Sequence, residues 1–146
     1  DLGKFGDMLE EQGFISVHVR RGDYLANPDV YAGVCTRGYY EKAVQYMRDG
    51  GRGNRFIFFS DDMDWVTKNL KVPGAIYFDA ERFPGHQDWY DMYLMSRCRH
   101  NIIANSTFSW WGAWLNKSAE KVVIAPDRWH KNNDTPDIWC EEWIRL

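Results

Sequence analysis

At 146 residues the chain has the size of one domain with a substantial core. Its 18 basic and 21 acidic residues give a net charge of −3, which excludes a general nucleic-acid or polyanion binder but allows a local basic cluster to hold one phosphate group. No apolar run approaches the roughly 18 residues of a membrane-spanning helix.

Residues 1–13 are polar and weakly helical and end at Gly13. Because the chain opens Asp1-Leu2-Gly3 rather than at Met, this stretch is expected to lead in from a preceding segment. Phe14 to Val19 reads as a buried, β-branched strand that runs into Arg20-Arg-Gly-Asp-Tyr24. Residues 25–37 read as a loop, and Tyr39 to Arg48 as a helix stopped by Gly50-Gly-Arg-Gly53. Arg55 to Ser60 is a second strand, followed by a helix from Asp61-Asp-Met-Asp64 to about Leu70. Ala75 to Phe78 is a third strand and Gln87 to Arg97 a helix. Asn101 to Ala104, a helix over 106–115, and Lys121 to Ala125 complete the pattern; the tail is expected to pack back on the domain. Strand–helix alternation with short connections predicts a doubly wound α/β domain with a mostly parallel sheet.

In such sheets ligands bind at the carboxyl ends of the strands, so the residues just past each strand are the candidate site. Arg20 and Arg21 are adjacent and point in different directions if strand geometry continues. One can fork onto a phosphate while the other pairs with a carboxylate, the plain alternative being two surface arginines. Asp23 is within reach to orient an arginine, or to act as a general base. His18 shares the face of Arg20 and is either a ligand-side group or a hydrogen-bonded core histidine. Asp61, with Asp64 three residues on, fits a helix N-cap. Asp62-Met-Asp64 also matches a short metal-binding pattern, but it is too common at helix starts to carry a metal site, and no metal is expected. Asp91 is either a solvated helical carboxylate or an acceptor for the paired N–H donors of a guanine edge.

Past the fourth strand, Asn105 is the candidate N-cap. Ser106, Thr107 and Ser109 offer hydroxyls where unpaired helix-start N–H groups and the helix dipole favour an anion. Trp110, Trp111 and Trp114 have helical spacing and read as core. Cys35, Cys98 and Cys140 show no zinc or disulfide spacing and read as reduced thiols.

Taken together, His18-Val-Arg-Arg-Gly-Asp-Tyr24, Phe59-Ser-Asp-Asp62, Asp91-Met-Tyr-Leu-Met-Ser96, Asn101 to Leu115 and Val123-Ile-Ala-Pro-Asp-Arg-Trp129 resemble the bacterial form of the α-1,2-fucosyltransferase family, glycosyltransferase family 11. The resemblance covers about residues 14–146. It implies one Rossmann-like half of a GT-B-type enzyme that transfers L-fucose from GDP-β-L-fucose to the 2-hydroxyl of a galactoside, with inversion and without a metal. It also implies that Arg20 clamps the β-phosphate and Arg21 supports the loop. His18 and Asp91 would lie near the guanine, Asp61 and Asp62 would line the donor pocket, and Asn105, Ser106 and Thr107 would receive the diphosphate.

The family's amino-terminal half, with its Gly-Gly-Leu-Gly-Asn-Gln start, has no counterpart in this sequence. The expected partners are therefore that half, GDP-fucose and a galactose-containing acceptor. The chain alone is expected to bind GDP but to transfer fucose poorly or not at all. The style of the motifs points to a bacterial cytoplasmic setting, with peripheral contact to the inner membrane as a further expectation. Another GDP-fucose transferase, α-1,6- or protein O-linked, is an alternative, as is a non-catalytic nucleotide- or carbohydrate-binding module.

Overall fold

A computed structural model describes residues 1–21, 34–129 and 138–146. In chain order the elements are α1 (Leu2–Glu11), β1 (Ile15–Val19), α2 (Arg37–Asp49), β2 (Phe56–Ser60), α3 (Met63–Asn69), β3 (Ile76–Tyr77), a 3-10 turn (Ala80–Arg82), α4 (Asp88–Ser96), β4 (His100–Ile102), α5 (Thr107–Trp114), β5 (Val123–Ala125) and β6 (Ile144–Arg145). The six strands form one sheet in the order β3-β2-β1-β4-β5-β6, and every pair is parallel. The chain therefore winds outward from β1 to one edge, returns, and winds outward from β4 to the other. The order reverses between β1 and β4, and that gap is the topological switch point of a Rossmann-like sheet.

Both faces of the sheet are buried, as parallel strands require. Phe56 and Phe58 of β2 face the side covered by α2 and α3, with Tyr40, Met47, Val66 and Leu70. The alternate residues Ile57 and Phe59 face α1 and α4, with Leu9, Leu94 and Met95. A one-residue slip would exchange the two sets, so this alternation fixes the register. Residues 1–13 hold a full helix docked by Phe5 and Leu9, with Asp1 accepting from Gly3 N and Lys4 N as its N-cap. Gly13, at φ 67, turns the chain from α1 into β1.

The tail contains a sixth strand that the sequence reading lacks. Ile144 and Arg145 pair with Ile124 and Ala125, and Leu146 N donates to the Ala125 carbonyl. Two residues are too few to show a period. The tryptophans of α5 also depart from expectation: Trp110 is half-buried, whereas Trp111 and Trp114 are 47% and 51% exposed. The buried face of α5 is made of small residues instead, Ser109, Gly112 and Ala113. A Cβ on Gly112 would come within 2.7 Å of the Met95 side chain. This close approach locks α5 against α4, and the indoles flank the seam rather than fill it.

Among the described residues no helix is long and apolar enough to cross a membrane. All three cysteines carry free thiols.

Candidate functional site

The register places the strand-end residues on one level. Val19 pairs with Ser60 and Val17 with Ile102, so Arg20 lies level with Asp61 on one side and with Asn105 on the other. Above these ends opens a cavity of about 360 Å³ lined by His18, Arg20, Ser60, Asp61, Ala80, His86, Asp88, Asp91 and Phe108. Its size suits a small-molecule ligand. Four of the sequence-derived candidates meet here: His18, Arg20, Asp61 and Asp91.

His18 is 4% exposed and stacks obliquely on Phe108, ring centroids 5.5 Å apart. Burial holds its pKa down to about 4, the charge of Asp61 works against that shift, and the charge of Arg20 adds to it. His18 is therefore neutral at pH 7, able to donate from one ring nitrogen and accept at the other. Its Nδ1 is buried and has no hydrogen-bond partner among the described residues. The backbone below is pinned by α2: the Tyr40 hydroxyl donates to the His18 carbonyl at 3.0 Å, and the Tyr39 hydroxyl to the Ile103 carbonyl at 2.6 Å. These bonds hold the ends of β1 and β4, and with them the switch point.

The two arginines divide as strand geometry requires. Arg20 lines the cavity, with its Nε 3.5 Å from Asp61 Oδ2. Arg21 lies outside that lining, stacked on the Trp65 ring at 4.0 Å and paired with Asp62 at 3.5 Å. Its backbone N–H donates to Asp61 Oδ1 at 2.8 Å. Asp61 thus ties the exit of β1 to the end of β2 and contacts Arg20 with its second oxygen. The helix N-cap is Asp62, not Asp61; its carboxylate accepts from Trp65 N at 3.2 Å. The cap moves one residue because Asp61 is drawn across the sheet to β1. Asp62 consequently joins Arg21 rather than the cavity. Among the described residues no cluster of three or more His, Cys, Asp or Glu is arranged to hold a metal.

The start of α5 also differs from expectation in one residue. Ser106 is the N-cap, and it makes no side-chain capping bond. Asn105 is buried and turns inward, its Nδ2 donating to the Trp129 carbonyl at 2.8 Å. Ser109 is likewise occupied: its hydroxyl accepts from Ala104 N and can donate to the Ala104 carbonyl, both at 3.2 Å. Thr107 is exposed on the first turn. Asn105, Ser106 and Thr107 therefore do not line the cavity, although Phe108 of the same turn does. What this helix start presents is backbone N–H groups and the positive end of the helix dipole. Asp23 lies outside the described residues.

Asp91 of α4 lines the same cavity as Arg20, and its Oδ1 lies 2.8 Å from His86 Nε2. Burial raises the Asp91 pKa; the hydrogen bond from His86 opposes the rise and the charge of Asp88 adds to it. His86 is the site residue that sequence reasoning missed. It sits in a loop, where no periodicity marks it, and its partner is five positions away across a helix start. The cavity lining thus combines one guanidinium, paired with Asp61, with the carboxylates of Asp88 and Asp91, the latter backed by His86.

The model of the family described as "Glycosyl transferase family 11" matches residues 4–146. An O-antigen biosynthesis glycosyltransferase, WbnK, of Escherichia coli is 40% identical over 95% of this chain and 46% of its own length. An alpha-1,2-colitosyltransferase of the same species is 35% identical over 100% of the chain and 52% of its own length. Galactoside alpha-(1,2)-fucosyltransferase 1 of Aotus azarae is 34% identical over 99% of the chain and 41% of its own length. The chain spans about half the length of these curated relatives. A parallel Rossmann-like sheet with a polar cavity at its carboxyl edge, matched over nearly its whole length by the family model, places this chain in glycosyl transferase family 11.

Proposed function

We propose that the chain is the donor-binding half of a transferase that moves L-fucose from GDP-β-L-fucose to the 2-hydroxyl of a galactoside, with inversion. The observation that carries this reading is the cavity above the ends of β1 and β2, bordered by Phe108 of the first turn of α5, where Arg20 suits a diphosphate and His18 and Asp91 suit a guanine edge. The leaving group is a nucleoside diphosphate, so negative charge grows on its oxygens as the fucosyl bond breaks. A fixed guanidinium and a helix start stabilise that charge more in the transition state than in the ground state. The reading assigns no step to a metal.

Arg21, held by Trp65 and Asp62, supports the loop, and Asp61 aims Arg20. Asp23, three positions beyond Arg20, is assigned to orienting that arginine ahead of a general-base role. The acceptor would be bound together with the remaining half of the enzyme. Titration calorimetry of the chain with GDP, UDP and free oligosaccharides tests the reading. GDP-selective binding supports it; glycan binding without nucleotide binding refutes it.

Colitosyl transfer is a second reading, favoured by the whole-chain similarity to an alpha-1,2-colitosyltransferase. Colitose is fucose without its 3-hydroxyl, so both sugars would use the same nucleotide contacts. Competition between the two GDP-sugars in a complete enzyme separates them.

A further inference from the structure

We propose that His86 is a positioning residue for recognition of the donor base: it holds Asp91 so that the carboxylate meets two parallel N–H donors and thereby selects guanine. This inference rests on the donor-site reading above.

Asp91 projects from the first turn of α4, where a carboxylate with no tether would sample several rotamers. Among the described residues His86 makes the one hydrogen bond to it, from Nε2 to Oδ1 at 2.8 Å. Both side chains are about one-fifth exposed, at 20% and 21%. The imidazole is itself held, lying edge-on to Tyr90 at 5.3 Å and obliquely to Phe78 at 6.1 Å. Phe78 is packed in turn against Phe5, Phe59 and Phe83. The orientation of Asp91 is therefore set by an aromatic cluster through one hydrogen bond.

A carboxylate oxygen has two acceptor sites, so Oδ1 can take His86 and still accept from a ligand. Guanine presents a ring N–H and an exocyclic N–H side by side, which match the two oxygens. Hypoxanthine lacks the exocyclic group, and adenine places an acceptor where the ring N–H is needed. Selection between guanine and hypoxanthine thus depends on the angle of the carboxylate, the quantity that His86 fixes.

A pH readout follows from the same geometry. The groups that face Asp91 are His86 from the loop, Asp88 from α4, His18 and Arg20 from the end of β1, and Asp61 from the end of β2. The nearby Asp7 and Glu10 of α1 pair with Arg97 instead. Burial raises the Asp91 pKa and the His86 hydrogen bond opposes that rise. Removing the bond raises it further, so binding through the carboxylate is lost at a higher pH on acidification.

The test is titration calorimetry of the chain with GDP and with inosine diphosphate, for the unaltered protein, His86→Phe and His86→Gln. Phenylalanine keeps the ring between Phe78 and Tyr90 but cannot donate; glutamine restores a donor. The unaltered chain should prefer GDP by about tenfold, the worth of one hydrogen bond to a charged group. His86→Phe should reduce that preference to under about threefold, leave inosine diphosphate binding within about twofold, and move the acid limb of GDP binding to higher pH. His86→Gln should restore most of the preference. If His86→Phe does not fold by circular dichroism, His86→Ala takes its place. An undiminished preference with an unmoved acid limb overturns the role of His86 alone. No preference in the unaltered chain overturns the guanine reading, and this inference with it.

Discussion

Replacing Arg20 by lysine keeps the charge and removes the fork. In the structure the guanidinium has its Nε 3.5 Å from Asp61 Oδ2, and its side chain is 32% exposed. A planar guanidinium can hold a carboxylate along one edge and a phosphate along another; an ammonium cannot match both geometries at once. The loss corresponds to about one charge-assisted hydrogen bond, ~1.5–3 kcal/mol in a dry site. A head group one-third exposed keeps only part of that, about 1–2 kcal/mol. The expected result is a 5- to 30-fold weaker Kd for GDP, taking about 1.4 kcal/mol per tenfold change. Titration calorimetry with GDP and with guanosine measures it. Guanosine carries no phosphate, so its affinity should stay within about twofold. An Arg20→Lys protein that binds GDP as the unaltered chain does, or that loses guanosine and GDP equally, refutes the clamp.

The core of the domain should be equally sensitive at Asn101. This fully buried side chain donates to Ser16 Oγ at 2.6 Å and to the Met95 carbonyl at 2.8 Å, and accepts from Asn116 Nδ2 at 2.8 Å. Asn101→Leu leaves those partners unsatisfied and should cost about 2–4 kcal/mol in urea unfolding; a change below about 0.5 kcal/mol contradicts the network. Acid should destabilise the fold through its buried histidines. His18 and His100 are each held down to about 4, chiefly by burial, against 6.5 in the unfolded chain. Between pH 6.5 and 4 the unfolded state binds the extra protons, so stability falls as pH falls through that window. Urea midpoints at pH 7 and 4.5 should show this, and His18→Gln should shrink the difference; an equal difference in both proteins argues against a buried, neutral His18.

The sequence made the sheet legible because its central strands are long enough to show a pattern. Phe56-Ile-Phe-Phe59 is apolar on both faces, which only a strand covered on both sides permits, and Ile15, Val17 and Val19 mark one apolar face of β1. The strand-end polar residues followed from the same logic, and His18, Arg20, Asp61 and Asp91 do converge. What stayed hidden depended on tertiary contacts. Asp61 and Asp62 exchange capping and bridging duties because Arg21 N reaches across from β1, a contact forty residues apart in sequence. Asn105 turns inward because the Trp129 carbonyl, on a later segment, takes its amide. Trp111 and Trp114 face outward because a glycine, not an indole, makes the closest approach to α4. His86 meets Asp91 only because the loop before α4 brings its ring back to the first turn of that helix. Helical or strand periodicity carries none of this information.

The central claim is that one cavity holds both ends of a guanosine diphosphate. A crystal structure of the chain with GDP tests it most directly. The account predicts the diphosphate between Arg20 and the first turn of α5, with the guanine edge against Asp91. Diphosphate seated elsewhere, such as the basic hollow lined by Arg97, Arg99 and Lys117, with Arg20 and Asp91 untouched, would contradict it.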